Sequence, residues 1–396
     1  MKQAWLVFLA FFCGLTALAA DDVRLRLFAP AWRGIGDRDP AAVAKKFVII
    51  YMRADPAPFH RGYPPVKCII YSLGPYVNKA DLRTLAPEAL AHDASGELVK
   101  ARDWPNWLVA PDNPKLLEHE RKLVRNLMAG GYDGLFVDSP GTAPIDTNYV
   151  LTKAINPNTR NPYTGDEWLA AEVKMVQAAK EALPKDKLLF MNGLGPGTRY
   201  WREPEAASPR VLLAQFDGAM SESIWRTAKA PLDQWPSAEN WMLDIRMVQD
   251  VDRRGLFGFW WTKCGSVVGA RPKDEETHQD LVPRWRRFAL ASYLLAAGPK
   301  SYFNFLAGDA KLNDAAQYYP EYDAPLGAAT GPMRELARRV YYRRFSGGLV
   351  MVNPSGSAVD GLRPEGGEGE FTSAGEGRKL RAPFSIAAHT GWILTR

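Results

Sequence analysis

Cysteine is scarce. Three occur in 396 residues, and Cys13 falls in the first apolar run. Cys68 and Cys264 cannot build a disulfide scaffold. Each flanks an apolar run and reads as a buried thiol. Histidine is scarce too. His60, His92, His119, His278 and His389 include no pair at metal-binding spacing, so neither a His-based metal site nor any other cofactor is expected. No glycine-rich phosphate loop follows an early strand. Gly193-Leu194-Gly195-Pro196-Gly197 carries a proline and lacks the third-glycine spacing of a dinucleotide site, and it reads as a surface loop. Beyond the N-terminus no apolar run approaches the about 20 residues of a membrane span. Neither charge dominates: 50 Lys and Arg face 44 Asp and Glu, for a net charge of +6. The basic residues are spread through helical stretches, so no nucleic-acid partner is expected.

The chain opens MKQAWLVFLAFFCGLTALAADD. Lys2 provides a positive start, Ala4 to Leu18 is almost wholly apolar, and Ala17-Leu18-Ala19 is a small-x-small cleavage pattern before Asp21-Asp22. Residues 1–20 therefore read as a secretory signal peptide, with an uncleaved anchor as the competing reading. No small residue precedes Cys13 as a lipoprotein signal would require. The expectation is an exported protein, periplasmic or extracellular, with no stable membrane insertion after cleavage. The 13 Trp and 15 Tyr suit carbohydrate contact, where flat rings stack on sugar faces, although core packing competes for every ring.

The rest alternates between strand and helix. Strands are predicted at Val23–Ala29, Phe47–Met52, Val66–Leu73, Gly134–Val137, Leu188–Met191, Gly218–Ser221, Leu256–Trp261 and Lys300–Phe305. Helices are predicted at Pro40–Lys46, Asn113–Ala129, Asp166–Leu183, Glu203–Ala214, Ser237–Arg253 and Leu281–Ala297. Strand-helix alternation implies parallel strands joined by crossovers. Eight such units over residues 21–330 fit a (β/α)8 barrel, with a doubly wound open sheet as the alternative. Met333–Val340 reads as a last helix, and Glu365–Gly377 as a mobile loop. The strand-turn texture of residues 331–396 predicts a small C-terminal antiparallel β domain.

Active sites of such barrels lie at the C-terminal ends of the strands. Asp138 and Glu222 stand there, after the fourth and sixth strands. Side chains alternate along a strand, so each acid shares its face with a large apolar residue and a glycine: Gly134-x-Phe136-x-Asp138 and Gly218-x-Met220-x-Glu222. Asp133 and Asp217 fall at the other end and on the other parity, suited to bonding the loop that enters the strand. Two carboxylates at one mouth suit glycoside hydrolysis, which needs a proton for the leaving oxygen and an anion opposite the oxocarbenium-like centre. A separation of about 5 Å favours retention of configuration, and about 6.5–9.5 Å favours inversion. Trp32, Arg53, Tyr71, Asn192, Trp261, Lys263 and Asn304 lie at other strand ends and are candidate substrate contacts. Asp55, in a Pro-rich loop, and Asp244, inside a predicted helix with a solvated or capping role, are rival acids.

YDGLFVDS, LLFMNG, DGAMSESIW, RGLFGFWWTK and YYRRFSGGLVMVNPS resemble the hypothetical glycoside hydrolase-like families of exported barrel proteins. More distantly they resemble barrels of the α-galactosidase and α-glucosidase type. That resemblance spans most of the barrel and the terminal β domain. It implies Asp138 as nucleophile, Glu222 as acid/base and a retaining mechanism. Ser223 and the lack of calcium- or chloride-type ligand clusters set the chain apart from classical amylases. The leading expectation is an exported glycoside hydrolase acting on an oligo- or polysaccharide. The alternatives are a non-catalytic polysaccharide-binding barrel and an envelope assembly protein. In a binder, Asp138 or Glu222 could be locked in an ion pair with Arg53 or Lys263.

Overall fold

The computed structural model describes residues 25–31, 34–205, 208–227, 230–264, 281–307 and 316–396. The expected signal peptide and Trp32 lie outside them. Eight parallel strands form one sheet in chain order. They are β1 (Phe28–Pro30), β2 (Ile49–Met52), β3 (Lys67–Ser72), β4 (Gly134–Val137), β5 (Leu188–Asn192), β6 (Gly218–Ser221), β7 (Phe257–Lys263) and β8 (Ser301–Leu306). A parallel bridge between Leu27 and Phe303 brings the last strand against the first. Asn304 Nδ2 donates to the Phe28 carbonyl across that seam at 2.8 Å. The result is a (β/α)8 barrel, and the open-sheet alternative falls away.

The crossover helices start where their capping chemistry dictates. Asn113 accepts from Lys115 N and precedes Pro114 at the start of α3 (Pro114–Met128). Thr164 and Glu167 form a capping box for α4 (Gly165–Ala182). Ser237 accepts from Asn240 N to open α6 (Ala238–Arg253). In each case a side-chain oxygen satisfies a first-turn N–H that has no partner within the helix. The other numbered helices are α1 (Pro40–Lys46), α2 (Ala57–Gly62), α5 (Gly197–Tyr200) and α7 (Leu281–Ala296).

The barrel interior is a separate apolar cluster that includes Tyr51, Phe136, Phe190, Met220, Phe259 and Trp261. Phe136 and Met220 point inward as the alternation requires. Gly134 and Gly218 share that face for a steric reason. A Cβ on Gly134 would come within 2.2 Å of the Leu188 carbonyl oxygen, and one on Gly218 within 2.5 Å of the Phe257 side chain. The glycines let the next strand's backbone at Leu188 and Phe257 approach closely.

Several elements differ from the sequence expectation. Glu203–Ala214 is not an α-helix; a 3-10 segment, Pro209–Gln215, opens on a Ser208 cap. β7 runs two residues past Trp261. The connection from β3 to α3 contains a hairpin, Tyr76–Asn78 with Asn106–Leu108. After β8, Tyr319 and Tyr322 pack edge-on against Phe305 and Phe303. Met333–Val340 is not a helix. Arg334–Ala337 (β9) pairs antiparallel with Val340–Phe345 (β10). Arg338 and Arg339 between them have φ of 48° and 63°, left-handed values that make a tight hairpin turn.

The C-terminal region continues with β11 (Gly348–Asn353), β12 (Val359–Leu362), β13 (Glu370–Ser373), β14 (Lys379–Arg381), β15 (Phe384–Ile386) and β16 (Thr390–Thr395). Six of these strands form an antiparallel sheet in the order β9-β10-β11-β16-β13-β14, and β12 pairs with β15. The stretch read as a mobile loop, Glu365–Gly377, holds β13, and Glu365 pairs with Arg334 and Arg344.

Candidate active site

The two Asp-Gly pairs do the same work at the bottom of the barrel. Asp133 Oδ2 accepts Cys68 N, and Asp217 Oδ2 accepts Leu189 N, each at 2.8 Å. Each aspartate thus bonds the preceding strand as its own strand begins. The apolar run then buries the strand, and the acid emerges at the mouth. Asp138 N still bonds Ser72 O at 2.9 Å, one residue beyond β4. Ser139 then turns the chain with φ 58°. Gly74, at φ +62°, lies directly over the Asp138 carbonyl, where a Cβ would sit 2.0 Å from that oxygen. No residue but glycine fits this approach.

The two carboxylates share one donor. Asn192, at the end of β5 between their strands, has its Oδ1 fixed by Gly193 N at 2.8 Å. Its Nδ2 therefore faces the mouth. It lies 2.8 Å from Asp138 Oδ1 and 2.9 Å from Glu222 Oε1. Those two oxygens can be no further apart than the two bonds laid end to end. Tyr71 Oη donates to Asp138 Oδ2, and its ring stacks on Phe136 at 6.0 Å. The Arg53 guanidinium covers the Tyr71 ring at 4.7 Å. On the far side, Lys263 Nζ bonds Glu222 Oε2 at 2.7 Å. The Lys263 side chain is 8% exposed and that of Glu222 27%.

These contacts set the charges. Burial, then the negative charge of Glu222, raises the Asp138 pKa above the usual carboxylate value. Bonds from Tyr71, Asn192 and the Ser139 N–H work against that rise. Burial and the Asp138 charge push the Tyr71 phenol well up, so it stays a donor. Two acids this close resist ionising together. The arrangement can hold one proton and one negative charge a few ångströms apart at the mouth.

The structure brings Asp138, Glu222, Tyr71, Asn192, Lys263 and Arg53 together. Trp261 and Asn304 are placed elsewhere. Trp261 is fully buried in the barrel interior with Lys263 Nζ 4.5 Å from its ring centre, and Asn304 is 1% exposed in the strand seam. Neither presents a surface to a sugar. Of the rival acids, Asp55 is exposed and accepts Ala57 N. Asp244 is 4% exposed, not solvated. The Gly193–Gly197 stretch is not a surface loop. It is half-buried against the β4 loop, where a Gly193 Cβ would lie 2.2 Å from the Pro140 oxygen.

Among the described residues, one trio of possible metal donors gathers: His60, Cys68 and Asp133. It lies at the opposite end of the barrel. His60 Nε2 is 2.8 Å and Lys67 Nζ 3.5 Å from the Asp133 carboxylate. Burial and Asp133 push the Cys68 thiol up to about 12. No described helix is long and apolar enough to cross a membrane.

A family model described as hypothetical glycosyl hydrolase family 15 matches residues 69–349, most of the chain. No curated protein matches significantly. Solved structures with a similar chain course include the glycoside hydrolase domain of PelA from Pseudomonas aeruginosa. It is 14% identical, with a TM-score of 0.44, over 75% of this chain and 96% of that one. The acarbose-soaked debranching enzyme of Nostoc punctiforme is 12% identical, with a TM-score of 0.47, over 92% of this chain and 89% of its own. The α-galactosidase TtGalA from Thermus thermophilus, in complex with stachyose, is 15% identical, with a TM-score of 0.34, over 57% of this chain and 48% of its own.

Proposed function

The chain belongs to hypothetical glycosyl hydrolase family 15, and from that premise we propose that it is an exported enzyme that hydrolyses an oligo- or polysaccharide through Asp138 and Glu222. The observation that carries this reading is the shared Asn192 amide, 2.8 Å from one carboxylate and 2.9 Å from the other. Oxygens so bridged favour the retaining spacing of about 5–5.5 Å over the wider inverting gap. In the retaining scheme Asp138 attacks the anomeric carbon while Glu222 protonates the leaving oxygen. Water then cleaves the glycosyl-Asp138 ester as Glu222 takes a proton from that water. In the resting site Lys263 Nζ bonds Glu222 Oε2. A sugar oxygen arriving at Glu222 must therefore displace Lys263, and Glu222 must carry the proton it donates. Tyr71 and Asn192 are donors to the attacking Asp138 anion. Export rests on the signal-like residues 1–20, and the division of the chain at residue 330 belongs to the same reading.

The Glu222–Lys263 pair favours a second reading, a polysaccharide-binding barrel without turnover. Incubation with a panel of bacterial and plant polysaccharides separates the two. The hydrolase reading expects new reducing ends from wild type. It expects losses of about 10²–10⁴-fold for Asp138→Asn and Glu222→Gln. The first-formed sugar should keep its anomeric configuration by NMR. Equal cleavage by wild type and both variants would remove the catalytic assignment. Binding without cleavage by all three proteins would establish the second reading.

A further inference from the structure

Two buried acids stand behind the mouth in matched positions. Glu172 lies on α4, the helix after β4, and is fully buried; Asp244 lies on α6, the helix after β6, and is 4% exposed. Glu172 Oε2 accepts Gly141 N at 2.7 Å. Asp244 Oδ2 accepts Trp225 N at 2.8 Å. Gly141 is the third residue after Asp138, and Trp225 is the third after Glu222. Each crossover helix thus sends a carboxylate to the same point of the loop that carries a mouth acid.

The surrounding contacts serve the same loops. Trp168, one turn before Glu172, donates Nε1 to the Gly141 carbonyl at 3.1 Å, so Gly141 is held at both its N–H and its C=O. Asp244 uses its other oxygen to accept Gly197 N at 2.5 Å. That ties the loop that follows Asn192 to the β6 loop. Ser221 Oγ adds a bond to Gly195 O at 2.6 Å. A Cβ on Gly197 would lie 2.4 Å from the Leu243 carbonyl carbon, so this loop rests on the α6 backbone. Trp225 has φ 58°, a conformation a bulky residue holds only when its surroundings impose it. Ion pairing does not account for either acid. Among the described residues no basic group lies within 4.0 Å of either carboxylate, the Arg199 charge reaches Glu172 only from farther off, and burial pushes the Asp244 carboxyl up to about 7.

We propose that Glu172 and Asp244 are a matched pair of positioning residues, each clamping the backbone of the loop that carries one mouth acid. The proposal rests on the reading of Asp138 and Glu222 as the acting pair. Its physical basis is that the spacing of two acids on separate loops survives only if both loops are pinned to the scaffold. The helices α4 and α6 provide that anchorage. The two clamps differ in one respect. Glu172 uses a single oxygen as acceptor, and its Oε1 is buried without a hydrogen-bond partner among the described residues. Asp244 uses both oxygens. Glutamine can replace the first, whereas asparagine can serve only one of the two bonds of the second.

Hydrogen exchange on the full mature chain, resolved by residue, tests this. In wild type the Gly141 and Trp225 amides should exchange slowly beside faster loop neighbours. Asp244→Asn should speed exchange at least about tenfold in residues 193–197 and 222–226 alone. Glu172→Leu should do the same in residues 139–142, and Glu172→Gln should restore wild-type protection. On any polysaccharide that wild type cleaves, Asp244→Asn and Glu172→Leu should lower kcat by about a hundredfold, the cost of a small misplacement. KM should change little, and Glu172→Gln should retain most activity. The proposal fails if the Gly141 and Trp225 amides exchange like open loop in wild type, a result that needs no variant to fold. It also fails if the substitutions loosen the whole chain evenly. If wild type cleaves nothing, the hydrolase reading falls, and the exchange data still decide whether the clamps exist.

Discussion

Tyr71 is where the mouth's charges can be moved with least disturbance. Its ring lies between Phe136 and Arg53, and only its hydroxyl reaches Asp138. Tyr71→Phe keeps the ring contacts and removes a bond that holds the Asp138 pKa down. The sign follows: Asp138 binds its proton more tightly, so activity that needs the Asp138 anion appears at higher pH. A hydrogen bond to a charged group is worth about 1.5–3 kcal/mol, which moves the acid limb of kcat/KM up by about one to two pH units. A pH–rate profile checks this, and an unmoved limb would separate Asp138 from the ionisation that controls activity. At this scale the sequence singles out Asp138 and Glu222 because the glycine-x-apolar-x-carboxylate order occurs twice, and the structure brings the two together at Asn192. Glu172 was not singled out and Asp244 was read only as a rival acid with a solvated or capping role, since each interrupts the apolar stripe of its helix and a single interruption reads as a solvated position. The tryptophans misled in the other direction. Trp168, Trp225, Trp241, Trp260, Trp261 and Trp285 are buried in the cores, and an abundance of rings is equally consistent with packing.

Strands carried the most readable signal among the elements, since short apolar runs followed by polar ends have few other uses in an alternating chain. The repeated glycine of β4 and β6 shows why register is fixed so tightly. Gly134→Ala would place a methyl 2.2 Å from the Leu188 carbonyl oxygen, against backbone that cannot rotate away. The β4–β5 pairing must shift, with an overpacking cost of about 1–3 kcal/mol. Urea denaturation should show a lower midpoint with an unchanged slope; a wild-type midpoint would mean that the strands can part at no cost. β9 and β10 show where pattern reading fails. Met333, Leu336 and Val340 fall at helical spacing, yet Arg338 and Arg339 take the left-handed turn conformation. Arginine is not a turn residue, so nothing local announced the hairpin. What decides it is distant: β10 finds a partner in β11.

In the whole molecule, the C-terminal region was legible as a β structure but not as part of the main core. β11 lies between two cores. Val350 and Val352 join the cluster around the barrel helices, while Leu349 and Met351 belong to the cluster of the terminal sheets. Gly391 abuts α7, where a Cβ would meet Ala291 at 2.7 Å. Arg343 Nη1 bonds the carbonyls of Leu294 and Ala297 at 3.1 and 2.8 Å, capping the end of α7. A chain ending at residue 330 would leave that helix end without its cap and expose its outer apolar face to water. Exposed apolar faces drive association. The truncated chain should therefore be insoluble or melt well below the full chain, and the full mature chain should melt in one cooperative calorimetric transition. Two resolved transitions, or a soluble truncated chain with the full chain's Tm, would make residues 331–396 an independent module. One transition would mean that the sheet holds α7 against β7 and β8. In that case the terminal sheet supports the strand that carries Lys263 to Glu222, and the mouth depends on residues far from any carboxylate.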